Sequence, residues 1–342
     1  MSRLLSEPII SDPGSTALVT DLSVSPTHII VSLDNSEIYV YDTQGNKQHV
    51  LTGSEGAVWA TAVQGDLLAS GGTESDIRTW NLSTGEPGPI LKGHTSTVRV
   101  LRFLDDAQTL LSASRDATIR VWDTQSGECK KVLDGHSGTI RCLEAFPLGN
   151  VFLSAGGDGV AYLWSARDFS PLHKLEGHEG AIYCAAVDAQ GDMLVTGGQD
   201  ETVRIWRADS GECLEVLHEP DGVVGRAQIL ENSTLITADS AGFVHVWSLY
   251  TPARLISKFR AHEDPVSAFD VRGSSLVSAG GSILLSDIES GKTIATIDDT
   301  AHSVWKLGFI EENKIVALVA RDSKPMIEIW DVSQEAKSSE GS

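Results

Sequence analysis

The strongest constraint on this chain is a unit of about 40 residues that ends, eight times over, in Trp-Asp or a substitute for it. The endings are Tyr41-Asp42, Trp80-Asn81, Trp122-Asp123, Trp164-Ser165, Trp206-Arg207, Trp247-Ser248, Ser286-Asp287 and Trp330-Asp331, at successive intervals of 39, 42, 42, 42, 41, 39 and 44 residues. Within the third unit, Thr97-Val98-Arg99-Val100-Leu101, Thr109-Leu110-Leu111-Ser112-Ala113 and Thr118-Ile119-Arg120-Val121-Trp122 are short β-branched or apolar segments parted by polar turns, and Lys130-Lys131-Val132-Leu133 supplies a fourth. Four short strands at this spacing belong to a propeller blade and not to a helical repeat. Eight units predict an all-β, eight-bladed ring over residues 1–335, with 336–342 as a flexible polar tail.

The last unit has no outer strand after Asp331. The early run Leu4-Leu5-Ser6-Glu7-Pro8-Ile9-Ile10 is expected to return and supply it, so that an N-terminal strand closes the ring and removes the open edge between first and last blades. Pro8 is compatible with that place, because an outermost strand need not donate every backbone N–H.

Three units repeat a polar set at fixed positions: His94, Ser112, Asp116, Trp122; His136, Ser154, Asp158, Trp164; and His178, Thr196, Asp200, Trp206. These residues match the hydrogen-bonded His-Ser-Asp-Trp arrangement of WD-repeat proteins, which the chain resembles over nearly its whole length. A buried imidazole and indole need partners, so the set is expected to cross-link the blade. Threefold repetition argues against a serine nucleophile with a histidine base. Elsewhere the set decays: Ser54 and Pro220 replace the histidine, Glu74 and Ala241 replace the aspartate, and the seventh unit keeps His262 but ends at Ser286. Those blades are expected to depend more on side-chain packing, leaving the third to fifth the best cross-linked.

Composition narrows the partners. The net charge of −21, from 26 Lys and Arg against 47 Asp and Glu, opposes general binding to nucleic acid or to an anionic membrane. It leaves room for a local anion site, since the Debye length at physiological salt is only about 8 Å. The start has no sustained apolar stretch that reads as a signal or a membrane span. Cys129, Cys142, Cys184 and Cys213 show neither a disulfide framework nor metal-ligand spacing, which points to a reduced cytoplasmic or nuclear setting.

A narrower likeness follows from Thr95-Ser96-Thr97-Val98-Arg99, the run Leu111 to Asp123, Gly56-Ala57-Val58-Trp59, and the last blade from Val304-Trp305 to Ile329-Trp330-Asp331. These segments resemble the phosphodegron-binding propeller of F-box/WD-repeat substrate receptors of ubiquitin ligases. The resemblance implies a site for a phosphorylated protein or peptide carrying phospho-Ser/Thr-Pro, in which Arg99, Arg115 and Arg141 take the phosphate. It also implies that Trp59, Thr73 and Thr97 hold the proline, that Tyr183 adds a contact, and that Lys306 contributes peripherally. Guanidinium groups suit this task because they bond phosphate oxygens in charge-assisted pairs. Gly157 departs from the pattern, standing where the family has a pocket tyrosine. Arg78 and Arg120, inside third-strand patterns, are expected on blade surfaces, and Trp305, like Trp59, is expected to face the central funnel.

Family adaptors carry a helical F-box before the ring, whereas about 17 residues precede the first blade here. F-box-mediated ligase recruitment is therefore not expected from this chain alone, which is either one domain of a longer protein or a relative without the adaptor. No phosphate-binding Gly-rich loop, nucleophile elbow, zinc spacing or paired carboxylate site stands out, so no enzyme, cofactor or metal is expected. The repeated Gly71-Gly72, Gly156-Gly157 and Gly197-Gly198 pairs are read as permissive backbone at turns. The competing function is a phosphate-independent scaffold for protein-complex assembly.

Overall fold

The computed structural model describes residues 1–10, 17–104, 107–146, 150–250, 252–300, 303–322 and 324–333; the 336–342 tail lies outside them. Short β-branched or apolar segments parted by polar turns make each unit a four-stranded antiparallel sheet, with the second strand of the blade almost wholly buried. In blade three the strands Val98–Phe103, Thr109–Ser114, Ile119–Asp123 and Cys129–Leu133 lie side by side in chain order, from the channel outward. Seven blades follow this scheme. The eighth has the order Ser303–Glu311, Lys314–Arg321, Lys324–Asp331 and then Ser2–Pro8, which closes the ring as expected.

The closing strand starts two residues earlier than its sequence suggests, running antiparallel from Ser2 opposite Asp331 to Pro8 opposite Met326. Ile9 has left the ladder side by side with Pro325, whose carbonyl accepts its N–H at 3.0 Å, and its side chain is fully buried between blades eight and one. Glu328, with no exposed surface, ties the seam together. It accepts hydrogen bonds from Ser6 Oγ (2.9 Å), Arg3 Nη1 (3.1 Å) and Arg321 Nε (2.6 Å). Arg321 also bonds Asp298 and Thr300, so one cation links the last blade to the outer edge of the seventh.

Apolar clusters lie between successive blades. That between blades two and three joins Ala60, Leu91, Val98, Leu101 and Trp122. Trp122, Trp164, Trp206 and Trp247 are among the largest fully buried side chains, and truncating such a ring to alanine costs about 3–5 kcal/mol.

Blades three to five carry the complete polar set. In blade three, His94 Nδ1 meets Asp116 at 2.7 Å and Nε2 meets Ser112 Oγ at 2.7 Å, while Trp122 Nε1 donates to the same oxygen at 2.8 Å. Equivalent bonds join His136, Asp158, Ser154 and Trp164, and His178, Asp200, Thr196 and Trp206.

Two of the degenerate blades, the second and the sixth, are less dependent on packing than expected, because other residues fill the vacated roles. In blade two Glu74 accepts from the Glu55 N–H and from Arg78 Nε, much as Asp116 accepts from the Thr95 N–H. In blade six Asp239 replaces the missing aspartate, accepting from the backbone of Asp221, Ala241 and Phe243. The imidazole lost at Pro220 is returned from the third strand by His245, which stacks on Trp247 with ring centroids 5.9 Å apart.

The glycine pairs have a different cause from the one expected. Among these six glycines none has positive φ. What excludes a side chain is close approach: a Cβ on Gly72 would lie 1.8 Å from the Ala57 carbonyl oxygen, and one on Gly156 would lie 2.2 Å from that of Thr139. The end of each second strand is pressed against the inner strand beside it.

Candidate functional site

Those inner strands share one irregularity. The ladder register slips between Val19 and Asp21, Val58 and Ala60, Val98 and Val100, Ile140 and Cys142, Ile182 and Cys184, Val224 and Arg226, and Val304 and Lys306. A β-bulge leaves one residue unpaired and re-aims its side chain. Trp59, Arg99, Arg141 and Tyr183 therefore occupy one equivalent position on four successive blades. They line a cavity of about 390 Å³ at the end of the channel where the inner strands begin, together with Thr20, Asp21, Gly225, Arg226 and Lys306.

A second tier surrounds this funnel. The backbone N–H of Thr73 bonds the Ala57 carbonyl at 3.0 Å, that of Arg115 the Thr97 carbonyl at 2.9 Å, and that of Gly157 the Thr139 carbonyl at 2.8 Å. Thr73, Arg115 and Gly157 are thus equivalent rim positions on blades two, three and four. Arg115 and Thr73 are exposed, and Thr97, partly exposed, fixes the turn that presents Arg115. These three residues are outside the cavity lining.

The guanidinium of Arg99 lies 5.3 Å from the Trp59 ring centroid, and that of Arg141 lies 5.0 Å from the Tyr183 ring. Such contacts contribute about 0.5–1 kcal/mol at exposed sites and hold a cation without neutralising it. Arg99 is half-buried, and its pKa is lowered by that burial and then by the positive charges of Arg141 and Arg115. Arg141 and Arg115 are therefore each within electrostatic reach of Arg99. Among the described residues no carboxylate pairs with any of them.

The other cations of the funnel are engaged. Lys306 lies 3.5 Å from Asp21, and Arg226 donates to the Ser267 carbonyl at 3.0 Å. Arg226 is not among the residues singled out from sequence; it follows the bulge residue Gly225, the position that Lys306 holds in blade eight. Trp305 does not line the cavity; it packs on the cluster between blades eight and one. Arg120 sits against its blade as expected, its guanidinium 6.0 Å from the Trp122 ring, and Arg78 pairs with Glu74. At Gly157 a Cβ would meet only Thr139 oxygen and nitrogen at 3.5 and 3.6 Å, ordinary contacts, so the absent side chain leaves open space beside Arg141's blade rim.

Residues 85–123, 127–165 and 169–207 match the family described as WD domain, G-beta repeat. Together with the eight sheets this makes the chain an eight-bladed β-propeller with WD repeats in the matched segments. It is related at low identity to cell division control protein 4 of Saccharomyces cerevisiae, with 35% identity over 92 residues, 26% of this chain. The WD repeat-containing protein pop1 of Schizosaccharomyces pombe is 38% identical over 93 residues, 27% of this chain. Each matched stretch spans only 12% of the relative's own length. The crystal structure of the computationally designed Ika8 protein superposes with a TM-score of 0.81 at 25% identity, covering 95% of this chain and 99% of that one. Among the described residues no helix is long and apolar enough to cross a membrane.

Proposed function

We propose that the ring recognises a phosphorylated Ser/Thr-Pro peptide at the funnel, as a substrate-recognition module of the kind found in F-box/WD-repeat receptors. One observation carries the reading: Arg99 lies within electrostatic reach of both Arg141 and Arg115, and none of the three has a carboxylate partner among the described residues, in a chain of net charge −21. Gathering like charges is unfavourable in the free protein. A phosphate, with about −1.5 to −2 charge and three acceptor oxygens, relieves that repulsion and takes bonds from all three. Trp59 offers an apolar wall for the proline, with Thr73 and Thr97 as hydroxyl partners at the rim and Tyr183 opposite. Lys306, which lines the cavity beside Asp21, adds a peripheral contact to the peptide.

The test compares one acidic Ser/Thr-Pro peptide in phosphorylated and unphosphorylated forms by calorimetry. Phosphorylation is expected to tighten binding by at least about two orders of magnitude, the effect of two or more charge-assisted bonds. Equal affinity for the two forms would favour the phosphate-independent scaffold instead. Ligase recruitment is a further property that the F-box resemblance suggests for the family, and it is assayed separately from peptide recognition.

A further inference from the structure

Away from the funnel, blade six brings three ligand-type side chains together: Asp221 before its first strand, Asp239 at the end of its second and His245 within its third. We propose that these residues form a binding site for one divalent d-block cation of the zinc class.

The argument starts from the tautomer of His245. Its Nε2 lies 3.2 Å from the carbonyl oxygen of Glu219, which can only accept, so Nε2 carries the hydrogen. In the neutral ring Nδ1 is then a bare lone pair. His245 has no exposed surface, and Nδ1 has no hydrogen-bond partner among the described residues. It points toward Asp239 Oδ2, 4.0 Å away, on a carboxylate that is itself buried. Two electron-rich groups thus face each other across a gap in a dry environment, an arrangement that costs free energy unless an electrophile sits between them.

A metal ion fits the gap. Zinc binds imidazole nitrogen and carboxylate oxygen at about 2.0–2.2 Å, so two ligands of one ion are at most about 4.4 Å apart. The His245–Asp239 pair already satisfies that limit. Donor atoms of all three residues lie within 4.8 Å of one another, and Asp221, with 45% of its side chain exposed, can close the remaining distance by rotation. Imidazole with carboxylates selects a zinc-class ion over calcium or magnesium, which prefer all-oxygen sets. The Glu219 carbonyl supplies the outer hydrogen bond that a metal-binding histidine needs for its orientation.

One group competes with the metal. The Lys258 ammonium pairs with Asp221 and also donates to the Glu219 carbonyl at 2.9 Å. Metal binding displaces it from Asp221 while leaving the second bond in place. This sets up opposite effects of two substitutions that structural damage alone does not produce. Asp221→Asn removes a ligand, whereas Lys258→Met removes the competitor.

The experiment titrates chelator-treated full chain with Zn²⁺ at pH 7 by calorimetry, with Ca²⁺ and Mg²⁺ as controls and circular dichroism to establish folding. The expected result is one Zn²⁺ bound by the wild type. Asp221→Asn is expected to weaken it by at least about tenfold, since loss even of an outer-shell partner costs 10–100-fold, and Lys258→Met to tighten it. Absence of stoichiometric Zn²⁺ binding overturns the proposal. So does zinc affinity unchanged in Asp221→Asn, which would place the ion on other histidines or cysteines, or weaker binding by Lys258→Met. Phosphopeptide binding is unaffected by any of these results, so the two readings succeed or fail separately.

Discussion

Arg99 of blade three lays its guanidinium over the indole of Trp59 on blade two, 5.3 Å from the ring centroid. One side chain thereby belongs to two subsites, the cationic cluster and the apolar wall. If the arginines serve a phosphate, Arg99→Ala, Arg115→Ala and Arg141→Ala should each weaken phosphopeptide binding by about 1.5–3 kcal/mol, or one to two decades. Arg120→Ala is the control: it packs on Trp122 and should lower thermal stability more than affinity. Calorimetry with phosphorylated and unphosphorylated peptides checks all four variants, and undiminished phosphopeptide binding by the three funnel variants would falsify the phosphate site.

Gly156 and Gly157 are neighbours with opposite constraints. A Cβ on Gly156 meets the Thr139 carbonyl oxygen at 2.2 Å, whereas one on Gly157 has ordinary contacts. Gly156→Ala should therefore destabilise the ring by about 1–3 kcal/mol through overpacking. Gly157→Ala should stay within about 0.5 kcal/mol of wild type in urea unfolding. Gly157→Tyr should also fold and should alter which phosphopeptides a peptide array retains, since the new ring borders the arginine cluster. An unchanged array profile would remove Gly157 from the determinants of preference.

Glu328 is buried and accepts from Arg3, Ser6 and Arg321. Glu328→Gln leaves the Arg321 cation short of its main partner at the closing seam. The expected loss is about 3–5 kcal/mol, as for breaking a buried pair by removing one charge. The N-terminal strand should also become more accessible to protease than in the wild type. A melting temperature within a degree or two of wild type would show that the seam does not depend on this carboxylate.

Stability should fall earlier on the acid side than carboxylate titration alone predicts. Burial lowers the pKa of His94, His136, His178 and His245, and brings that of His262 from 6.5 to about 4. As pH falls below about 6.5 the unfolded chain takes up protons that the folded chain refuses, so unfolding becomes easier until the folded pKa is passed. His262 alone accounts for roughly 2–3 kcal/mol between pH 6.5 and 4. Asp116 acts lower down. Its burial favours the neutral acid, but bonds from Thr118, Thr95 and His94 outweigh that and hold its pKa at about 2. Its contribution, present above about 3.8, is lost between there and 2. Urea unfolding at pH 7.5, 6.5, 5.5 and 4.5 should show the decline, and a flat profile over that range would contradict the buried neutral imidazoles.

Much of the ring was legible because local pattern and global packing agree. Each Trp-Asp ending fixes a third strand, and the spacing from His94 to Asp116 and Trp122 fixes a cross-linked turn that recurs two blades running. The early apolar run fixed the closing strand to within two residues. What failed was compensation. Nothing near Ala241 indicates that Asp239 caps the turn, or that His245 brings an imidazole from a different strand into the space left at Pro220. The glycine pairs have a related explanation, since the Ala57 carbonyl that excludes a side chain from Gly72 meets it only once the first and second strands of the blade have paired.

The repeat alone determined blade number, strand order and the residue types available at each inner-strand position, because strand periodicity and buried hydrogen-bonding demands act within one unit. The tertiary structure decided which of those residues meet. The bulges turn Trp59, Arg99, Arg141 and Tyr183 toward one channel while Trp305, at the same kind of position, packs away from it. Among the described residues Arg99, Arg115 and Arg141 have no carboxylate partner, while Lys306 and Arg226 are committed to partners. Register and charge pairing between blades depend on through-space distances that exist only once the ring has closed.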